Sequence, residues 1–316
     1  MVYVSEREAE KFLTFEKCIP LMAETLKALS NKEATQVLRK VLPIGSSSIL
    51  GVMPGVVDAQ GIAGCKIITV FPENFAKGLH SHQGIVALFE TETGSLKAIV
   101  DGGAITAIRT AAVSAAATDA LSRKDSRVLA LLGSGVQARR HVEAIRHVRD
   151  ISHVTVWDID TASVARFKEE IENQHNLPVS ICQSPGEAVR NADIICTVTA
   201  SKKPVCFGDD LKPGMHINAV GACQPDSREL DSKAISLGRL FGDCIESVLT
   251  EAGDFIIPLK AGEITHEHLL GEIGDVFNGN LQGRTSKGDI TIFKSLGLAI
   301  EDLASADLIY RGYMND

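Results

Sequence analysis

The chain has 316 residues, of which 45% are hydrophobic, 5% aromatic and 23% charged, and its formal net charge is -8. This length and apolar content predict two domains with aliphatic cores. The acidic balance argues against a nucleic-acid-binding protein, which would need a basic patch or stripe.

The chain also lacks the usual signs of export or membrane insertion. Its first residues show no apolar core of a secretory signal, and no apolar run approaches the roughly 18 residues of a membrane span. The seven cysteines contain no C-x-x-C pair. We therefore expect a cytoplasmic protein with reduced thiols and no membrane partner.

The first third of the chain predicts a mixed region of helices and strands. A helix is expected from about Ser5 to Leu29, entered through a capping box formed by Ser5 and Glu8. Strands are predicted over 63–71, 84–89 and 96–100, followed by an Ala-rich helix over 104–121. The tight turn predicted at 92–95 joins two of these strands, which indicates an antiparallel or mixed sheet.

A glycine-rich turn lies near the middle of the chain. Gly133-Ser134-Gly135-Val136-Gln137-Ala138 follows an apolar run at 128–132 and precedes a predicted helix at 137–148. Because it lies between a predicted strand and a predicted helix, the G-x-G-x-x-A pattern predicts a dinucleotide-binding turn. The glycines let a pyrophosphate approach the backbone, and the helix N-terminus offers N–H groups to it.

Strands and helices alternate after this turn. Further strands are predicted at 154–157, 179–182, 194–199, 216–220 and 239–241. This rhythm favours an α/β fold with a Rossmann-type doubly wound parallel sheet. A final helix over 292–311 is expected to return to the first region. The predicted domains are therefore 1–115 with 292–316, a discontinuous α+β unit, and 116–291, the Rossmann domain.

Asp158 closes the second predicted strand of the Rossmann domain. An acid at this spacing from the glycine turn commonly binds the adenosine ribose hydroxyls. It also repels a 2′-phosphate, and no Arg follows in Asp158-Ile159-Asp160. The pattern favours NAD, with NADP as the alternative.

Two cations stand in apolar surroundings. Arg109 lies in the Ala-rich helix with no acid three or four residues away, and Lys66 lies in an otherwise apolar strand. A buried charge needs a partner. For Arg109 that partner is either a distant acid or the carboxylate of a substrate, and for Lys66 a solvated strand edge is the alternative.

The remaining polar motifs give weaker signals. His80 and His82 share a face of an extended segment, but no third ligand has metal-site spacing, so no metal site is predicted. In the loop at 221–229, Asp226 and Glu229 are either catalytic acids or, as favoured here, a capping box before Leu230.

Taken together, these motifs resemble the ornithine cyclodeaminase/mu-crystallin family over nearly the whole chain. The motifs, in order, are Arg39, Val52-Met53-Pro54, Gly64-Cys65-Lys66, Ser81-His82-Gln83, Asp101-Gly102, Ile105-Thr106-Ala107, Arg109-Thr110-Ala111-Ala112, the Gly133 turn, Ile217–Ala222 and Phe293–Gly297. The resemblance implies a homodimer whose N-terminal domains pair their sheets, a nicotinamide cofactor and a small amino- or imino-acid substrate.

The resemblance also implies roles for individual residues. Arg39, Lys66 and Arg109 match the family's carboxylate clamp, and His82, or a water that it orders, would supply a proton. Positions that match cofactor- or site-lining residues are Ser81, Thr110, Gly133, Ser134, Gly135, Val136, Gln137, Asp158, Thr197, Val198, Thr199 and Ser295.

One departure from the family decides between activities. Cyclodeaminases and related alanine dehydrogenases carry an Asp where this chain has Cys223, and a thiol is a poor general base beside a carboxylate. The expected function is therefore NAD(P)H-dependent reduction of cyclic imino acids, such as 1-pyrroline-2-carboxylate or 1-piperideine-2-carboxylate. The alternatives are an ornithine cyclodeaminase, an alanine-dehydrogenase-like enzyme, and a cofactor- or hormone-binding protein without turnover.

Overall fold

Two β-sheets, one mixed and one parallel, organise the protein. The structure, a computed structural model, describes the backbone of residues 1–316 and all side chains except those at 59, 75 and 76. The chain divides into two units, 1–110 with 297–316, and 111–296. Within the described residues, no helix is long and apolar enough to cross a membrane.

The first unit contains the mixed sheet, in the order β1-β7-β6-β5-β4-β2, with β3 paired to β4. Only the β1–β7 pair is parallel. Its strands are β1 (Val2–Val4), β2 (Ala34–Gln36), β3 (Lys40–Ile44), β4 (Ser48–Val57), β5 (Ile62–Val70), β6 (His82–Glu90) and β7 (Leu96–Asp101). Its helices are α1 (Glu6–Phe12), α2 (Phe15–Ser30), the first half of α3 (Gly102–Leu121) and, numbered in chain order, α11 (Ala299–Met314).

Helix α11 packs on the sheet over two glycines. Gly55 and Gly64 are register partners on β4 and β5. A Cβ at Gly64 would lie 2.6 Å from a Leu303 methyl carbon, and one at Gly55 would touch Ala299 and Ile300. The absence of side chains there lets the helix approach the strands closely.

The second unit contains an entirely parallel sheet, in the order β10-β9-β8-β11-β12-β15-β13-β14. Its strands are β8 (Val128–Leu132), β9 (His153–Trp157), β10 (Val179–Ile181), β11 (Ile194–Thr197), β12 (His216–Ala219), β13 (Gly238–Gly242), β14 (Leu269–Glu272) and β15 (Ile290–Lys294). Its helices are α4 (Val136–Ile145), α5 (Thr161–His175), α6 (Pro185–Val189), α7 (Ser232–Leu237), α8 (Ile245–Glu251), α9 (Gly253–Lys260) and α10 (Ile273–Phe277). The predicted Rossmann-type α/β sheet is confirmed.

The chain turns outward in both directions from β8. It runs from β8 to β9 and β10 on one side, and then crosses to β11 and β12 on the other. The carboxyl ends of β8 and β11 therefore flank the point where the strand order reverses. Doubly wound sheets bind dinucleotides at such a point.

Two of the helix predictions are wrong. The helix predicted over 292–311 begins later than expected. Residues Ile290–Lys294 form the fully buried strand β15, and α11 begins only at Ala299. The β-branched run Ile290-Thr291-Ile292 suits a buried strand, and Gly297, with φ +79°, separates it from the helix. The long helix expected from Ser5 to Leu29 is two helices, α1 and α2.

The unit boundaries differ slightly from the predicted ones. They fall after Thr110 and after Leu296, whereas the sequence predicted them after 115 and after 291. The first boundary lies inside α3, so a continuous helix belongs to both units. Substrate binding and dimerisation by the first unit, and dinucleotide binding by the second, stay predictions at this stage.

Candidate active site

A buried cluster of charged side chains lies in the first unit. The Lys66 Nζ, on β5, lies 3.0 Å from Asp302 Oδ1 and donates to Thr106 Oγ1 at 2.8 Å. The Arg109 Nε, on α3, donates to the same Asp302 Oδ1 at 2.9 Å, and its Nη1 donates to Glu301 Oε2 at 3.1 Å. Lys66 is 1% exposed and Arg109 is 4% exposed, so neither is a solvated surface cation.

Arg109 therefore pairs with two acids that lie far from it in the sequence. Glu301 and Asp302 are adjacent on α11 and are both completely buried. Burial acts to raise the pKa of Asp302, but the charges of Arg109 and Lys66 outweigh it and hold that pKa below its usual value. Burial, and to a smaller extent the charges of Arg109 and Arg39, lower the pKa of Lys66 to about 8, although Asp302 acts to raise it. The ammonium form of Lys66 thus predominates at neutral pH.

Arg39 joins this cluster through Gly297. Its Nη2 donates to the Gly297 carbonyl oxygen at 3.1 Å. A Cβ at Gly297 would lie 2.8 Å from the Arg109 Nη1, and the φ of +79° there also requires glycine. We call Arg39, Lys66, Arg109, Glu301 and Asp302 the clamp cluster. Its formal charges, three positive and two negative, leave one positive charge over.

Three further candidate residues also belong to the first unit. The Ser81 Oγ lies 2.9 Å from His82 Nδ1, and Thr110 is buried on α3. The His82 side chain keeps an exposed edge, yet the protein around its ring, and then the charge of Lys66, lower its pKa. His82 is therefore neutral at pH 7, which favours ordering of a water over direct donation of a proton.

The glycine-rich turn of the second unit has the geometry that a dinucleotide requires. Gly133 has φ +110°, and a Cβ there would lie 2.7 Å from the Val198 carbonyl oxygen. A Cβ at Gly135 would meet nothing within 4 Å, so space for a phosphate lies directly over that backbone. The first N–H groups of α4, at Val136 and Gln137, begin just after it. The residues present therefore fit a dinucleotide.

Asp158 is bound directly to this turn. Its Oδ2 accepts hydrogen bonds from Ser134 N and Ser134 Oγ, both at 2.8 Å. A carboxylate has about four acceptor positions, so Asp158 keeps capacity for ribose hydroxyls while it shapes the turn.

The carboxyl ends of β11 and β12 meet at Glu229, a residue that the sequence analysis assigns to a helix cap. Glu229 is completely buried and accepts from Thr197 Oγ1, Thr199 N, Thr199 Oγ1 and Gly221 N at 2.6 to 2.8 Å. The predicted capping box of Asp226 and Glu229 is wrong, because no helix begins at Leu230, which forms an isolated bridge with Cys206. The nearby Ser295 Oγ is buried and has no hydrogen-bond partner among the described side chains.

Cys223 lies in the loop that follows β12. Its side chain is half-buried, with the sulfur 3.5 Å from the Val220 carbonyl oxygen. Among the described residues, no group of three or more His, Cys, Asp or Glu is arranged to hold a metal ion.

A model of the ornithine cyclodeaminase/mu-crystallin family matches residues 1–315. The chain belongs to this family. The resemblance inferred from the sequence motifs is therefore confirmed.

Family relatives include reductases of imines. The chain is 39% identical over 276 residues to the ketimine reductase mu-crystallin of Mus musculus, covering 87% of this chain and 84% of that protein. The structure of Thermococcus litoralis Delta(1)-pyrroline-2-carboxylate reductase in complex with NADH and L-proline has a TM-score of 0.97, is 34% identical and covers 100% of this chain and 98% of that one. An archaeal alanine dehydrogenase dimer with bound NAD has a TM-score of 0.94, is 30% identical and covers 100% and 96%. The family therefore carries nicotinamide cofactors on this fold.

The sequence prediction missed several buried charged residues. Glu301 and Asp302 form an acidic pair between the apolar residues Leu298–Ile300 and Leu303–Ala304, the same signal that singled out Arg109. Asp254 and Lys294 are likewise buried charges, and their side chains approach to 2.9 Å. A search for acids and bases in apolar segments along the whole chain would have found all four.

Asp158 offers a direct test of cofactor preference. Asp158→Asn keeps an oxygen for the Ser134 N–H but removes the charge that opposes a 2′-phosphate. We expect the affinity for NADH to fall and the ratio of NADPH to NADH affinity to rise roughly tenfold, as loss of one charged hydrogen bond implies. Nicotinamide fluorescence titration measures both, with Asp160→Asn as control. An unchanged ratio would contradict a role for Asp158 in cofactor choice.

Proposed function

We propose that this protein reduces cyclic imino acids to L-amino acids with a nicotinamide cofactor, NADH in preference to NADPH. The observation that carries the proposal is the clamp cluster, whose surplus positive charge matches one carboxylate, in a chain that also has a dinucleotide turn. The substrates that fit are small cyclic ketimines with a carboxylate on the imine carbon, such as 1-pyrroline-2-carboxylate. The imine reductases among the relatives support this choice of substrate class.

The clamp cluster would bind the substrate through its carboxylate. Arg109 is held by Glu301 and Asp302 through Nη1 and Nε, so its planar guanidinium is fixed in direction before a ligand arrives. Lys66 is fixed in the same way by Thr106 and Asp302. Because the side chains are already ordered, binding loses little conformational entropy.

Reduction of the imine then requires one hydride and one proton. When bound, the nicotinamide cofactor would supply the hydride to the imine carbon. The proton goes to the ring nitrogen, which keeps the atoms balanced and yields the cyclic amino acid. Neutral His82, oriented by Ser81, would hold the water that delivers this proton.

The cofactor residues in this proposal form three groups. Gly133, Ser134, Gly135, Val136 and Gln137 would bind the pyrophosphate, and Asp158 the adenosine ribose. Thr197, Val198, Thr199 and Ser295 would line the nicotinamide half, and Ser81 and Thr110 are further candidates for contact with the cofactor. The Thr197 hydroxyl is completely buried and donates to Glu229, so its effect on the cofactor would pass through Glu229.

Reduction fits this chain better than cyclodeamination. Cyclisation of ornithine needs a base for the δ-amine as well as hydride transfer in both directions. Cys223 occupies the position where the cyclodeaminases carry an Asp, and a thiol is a poor substitute. Reduction of a preformed imine requires only a carboxylate clamp, a hydride and a proton.

The proposal includes a homodimer in the cytoplasm. Every residue of β3 is exposed in the single chain, including Val41, Leu42 at 60% and Ile44. An apolar edge strand of this kind invites pairing with a second copy, and the archaeal relative is described as a dimer. The seven cysteines form no disulfide among the described residues, as expected in a reducing compartment.

The dimer proposal predicts the effect of a charge on β3. Leu42→Glu should convert the dimer to a monomer in sedimentation velocity, because the new carboxylate would be buried against the second copy. Ile159→Glu, at an 86% exposed site of the second unit, is the control and should leave the mass unchanged. A dimer that persists in Leu42→Glu, or a monomeric parent protein, would contradict the proposed interface.

The proposed activity is tested by NADH oxidation with 1-pyrroline-2-carboxylate and 1-piperideine-2-carboxylate. Lys66→Met keeps the length of the side chain but removes its charge, so kcat/KM should fall at least roughly 100-fold, as expected on truncating a buried charged contact. NADH affinity should change less than about twofold, because Lys66 would contact the substrate and not the cofactor.

Lys97→Met is the matched control for this experiment. Lys97 is a lysine of strand β7 in the same sheet that also pairs with an α11 acid, Asp307, outside the clamp cluster. Near-normal activity in Lys66→Met would overturn the assigned clamp. Tight NADH binding by the parent protein without turnover of either imine would favour a cofactor-binding protein, and ammonia release from L-ornithine would favour the cyclodeaminase.

A further inference from the structure

The loop after β12 is held by a buried charged network whose members take no direct part in the proposed hydride and proton transfer. Glu229, Asp254 and Lys294 are each at most 1% exposed. Asp254 Oδ1 accepts from Glu229 N at 2.7 Å and Leu230 N at 2.9 Å, and its Oδ2 lies 2.9 Å from Lys294 Nζ. The three side chains thus connect the end of β15, the start of α9 and the returning end of the loop.

Glu229 then fastens the ends of β11 and β12 to each other. Its Oε1 accepts from Thr199 N and Thr199 Oγ1, just beyond β11, and its Oε2 accepts from Thr197 Oγ1 and Gly221 N. Each carboxylate oxygen therefore receives one backbone N–H and one hydroxyl. A backbone N–H cannot reverse its role, so both oxygens must be acceptors.

The glycines around this network show how closely it is packed. A Cβ at Gly221 would lie 2.1 Å from the Thr199 carbonyl oxygen and 2.6 Å from Glu229 Oε1. A Cβ at Gly253 would lie 2.1 Å from the Ser227 carbonyl oxygen. The loop at 221–229 therefore has little freedom to shift without breaking the hydrogen bonds to Glu229.

The position of the network in the sheet indicates what it serves. Asp158 and the glycine turn follow β9 and β8, the half of the sheet that takes the adenosine end of a dinucleotide. β11 and β12 lie on the other side of the point where the strand order reverses, which leaves them the nicotinamide end. We infer that Glu229, held by Asp254 and Lys294, is a positioning residue that fixes the backbone beneath the nicotinamide.

This inference rests on the dinucleotide-binding part of the proposed function, but not on the identity of the imine. It predicts that Glu229 matters for the nicotinamide end of the cofactor and not for the adenosine end. NADH carries both ends, whereas ADP-ribose carries only the second. A general loss of structure would affect the two ligands equally.

Glu229→Gln is the sharpest variant because it preserves the shape of the side chain. In either amide orientation, its NH₂ would face a backbone N–H, of Thr199 or of Gly221. We expect the Kd for NADH to rise roughly tenfold or more, as a buried donor facing a donor implies, and the Kd for ADP-ribose to change less than about twofold. Fluorescence titration measures the Kd for NADH, and calorimetry measures the Kd for ADP-ribose.

Asp193→Asn is the matched control at the opposite edge of the sheet. Asp193 also accepts from two backbone N–H groups, of Arg127 and Val128, at the amino ends of the strands. Asp193→Asn should leave the affinities for NADH and for ADP-ribose unchanged. If Glu229→Gln fails to fold, Thr197→Val removes one donor without leaving another unmatched, and should weaken NADH alone by about threefold.

Two outcomes would overturn the inference. One is an equal loss of NADH and ADP-ribose affinity in Glu229→Gln or Thr197→Val, and the other is NADH affinity within twofold of the parent protein. A selective loss of NADH affinity in a protein that reduces no imine would support the inference and reject the proposed substrate, so the two failures are distinguishable.

Discussion

The first unit depends on how it buries Lys66 and Arg109. Removing a charge from water costs several kcal/mol, and this cost is recovered only when the charge meets well-placed partners. Here one carboxylate oxygen, Asp302 Oδ1, accepts hydrogen bonds from both cations, and Glu301 accepts a second one from Arg109. The cations belong to β5 and α3 and the acids to α11, so the cluster also ties the C-terminal helix to the N-terminal sheet. With Arg39, the cluster keeps one positive charge more than its own acids supply, and a monocarboxylate ligand would complete it.

The second unit uses carboxylates in a different way, as acceptors for backbone N–H groups. Asp158 shapes the glycine turn through Ser134, and Glu229 joins the ends of β11 and β12. In both places a glycine allows the close approach, Gly133 beside Val198 and Gly221 beside Thr199. Side-chain carboxylates thus hold two turns at the edge where a parallel sheet binds its ligands.

The sequence was sufficient for those features that depend on neighbours along the chain. The glycine turn, the alternation of strands and helices after it, and the cations Lys66 and Arg109 were all visible in short segments. The partners of those cations were not, because Asp302 lies 193 residues beyond Arg109 and pairing at that distance is set by the tertiary fold. Strand β15 was read as part of a helix because a short apolar run fits either structure. Glu229 was read as a helix cap because Asp-x-x-Glu has the spacing of one, and only the folded loop shows the four donors around it.

Completion of the clamp cluster by a single negative charge can be measured without turnover. The NAD⁺-loaded protein should be unfolded thermally with increasing L-proline, the product expected from 1-pyrroline-2-carboxylate, and with L-prolinamide, which has the same ring without the carboxylate. A ligand that binds only the folded state raises the unfolding midpoint as its concentration rises. We expect the midpoint to rise with L-proline and to stay constant with L-prolinamide. Equal shifts with the two ligands would contradict the completion of the clamp cluster by a carboxylate.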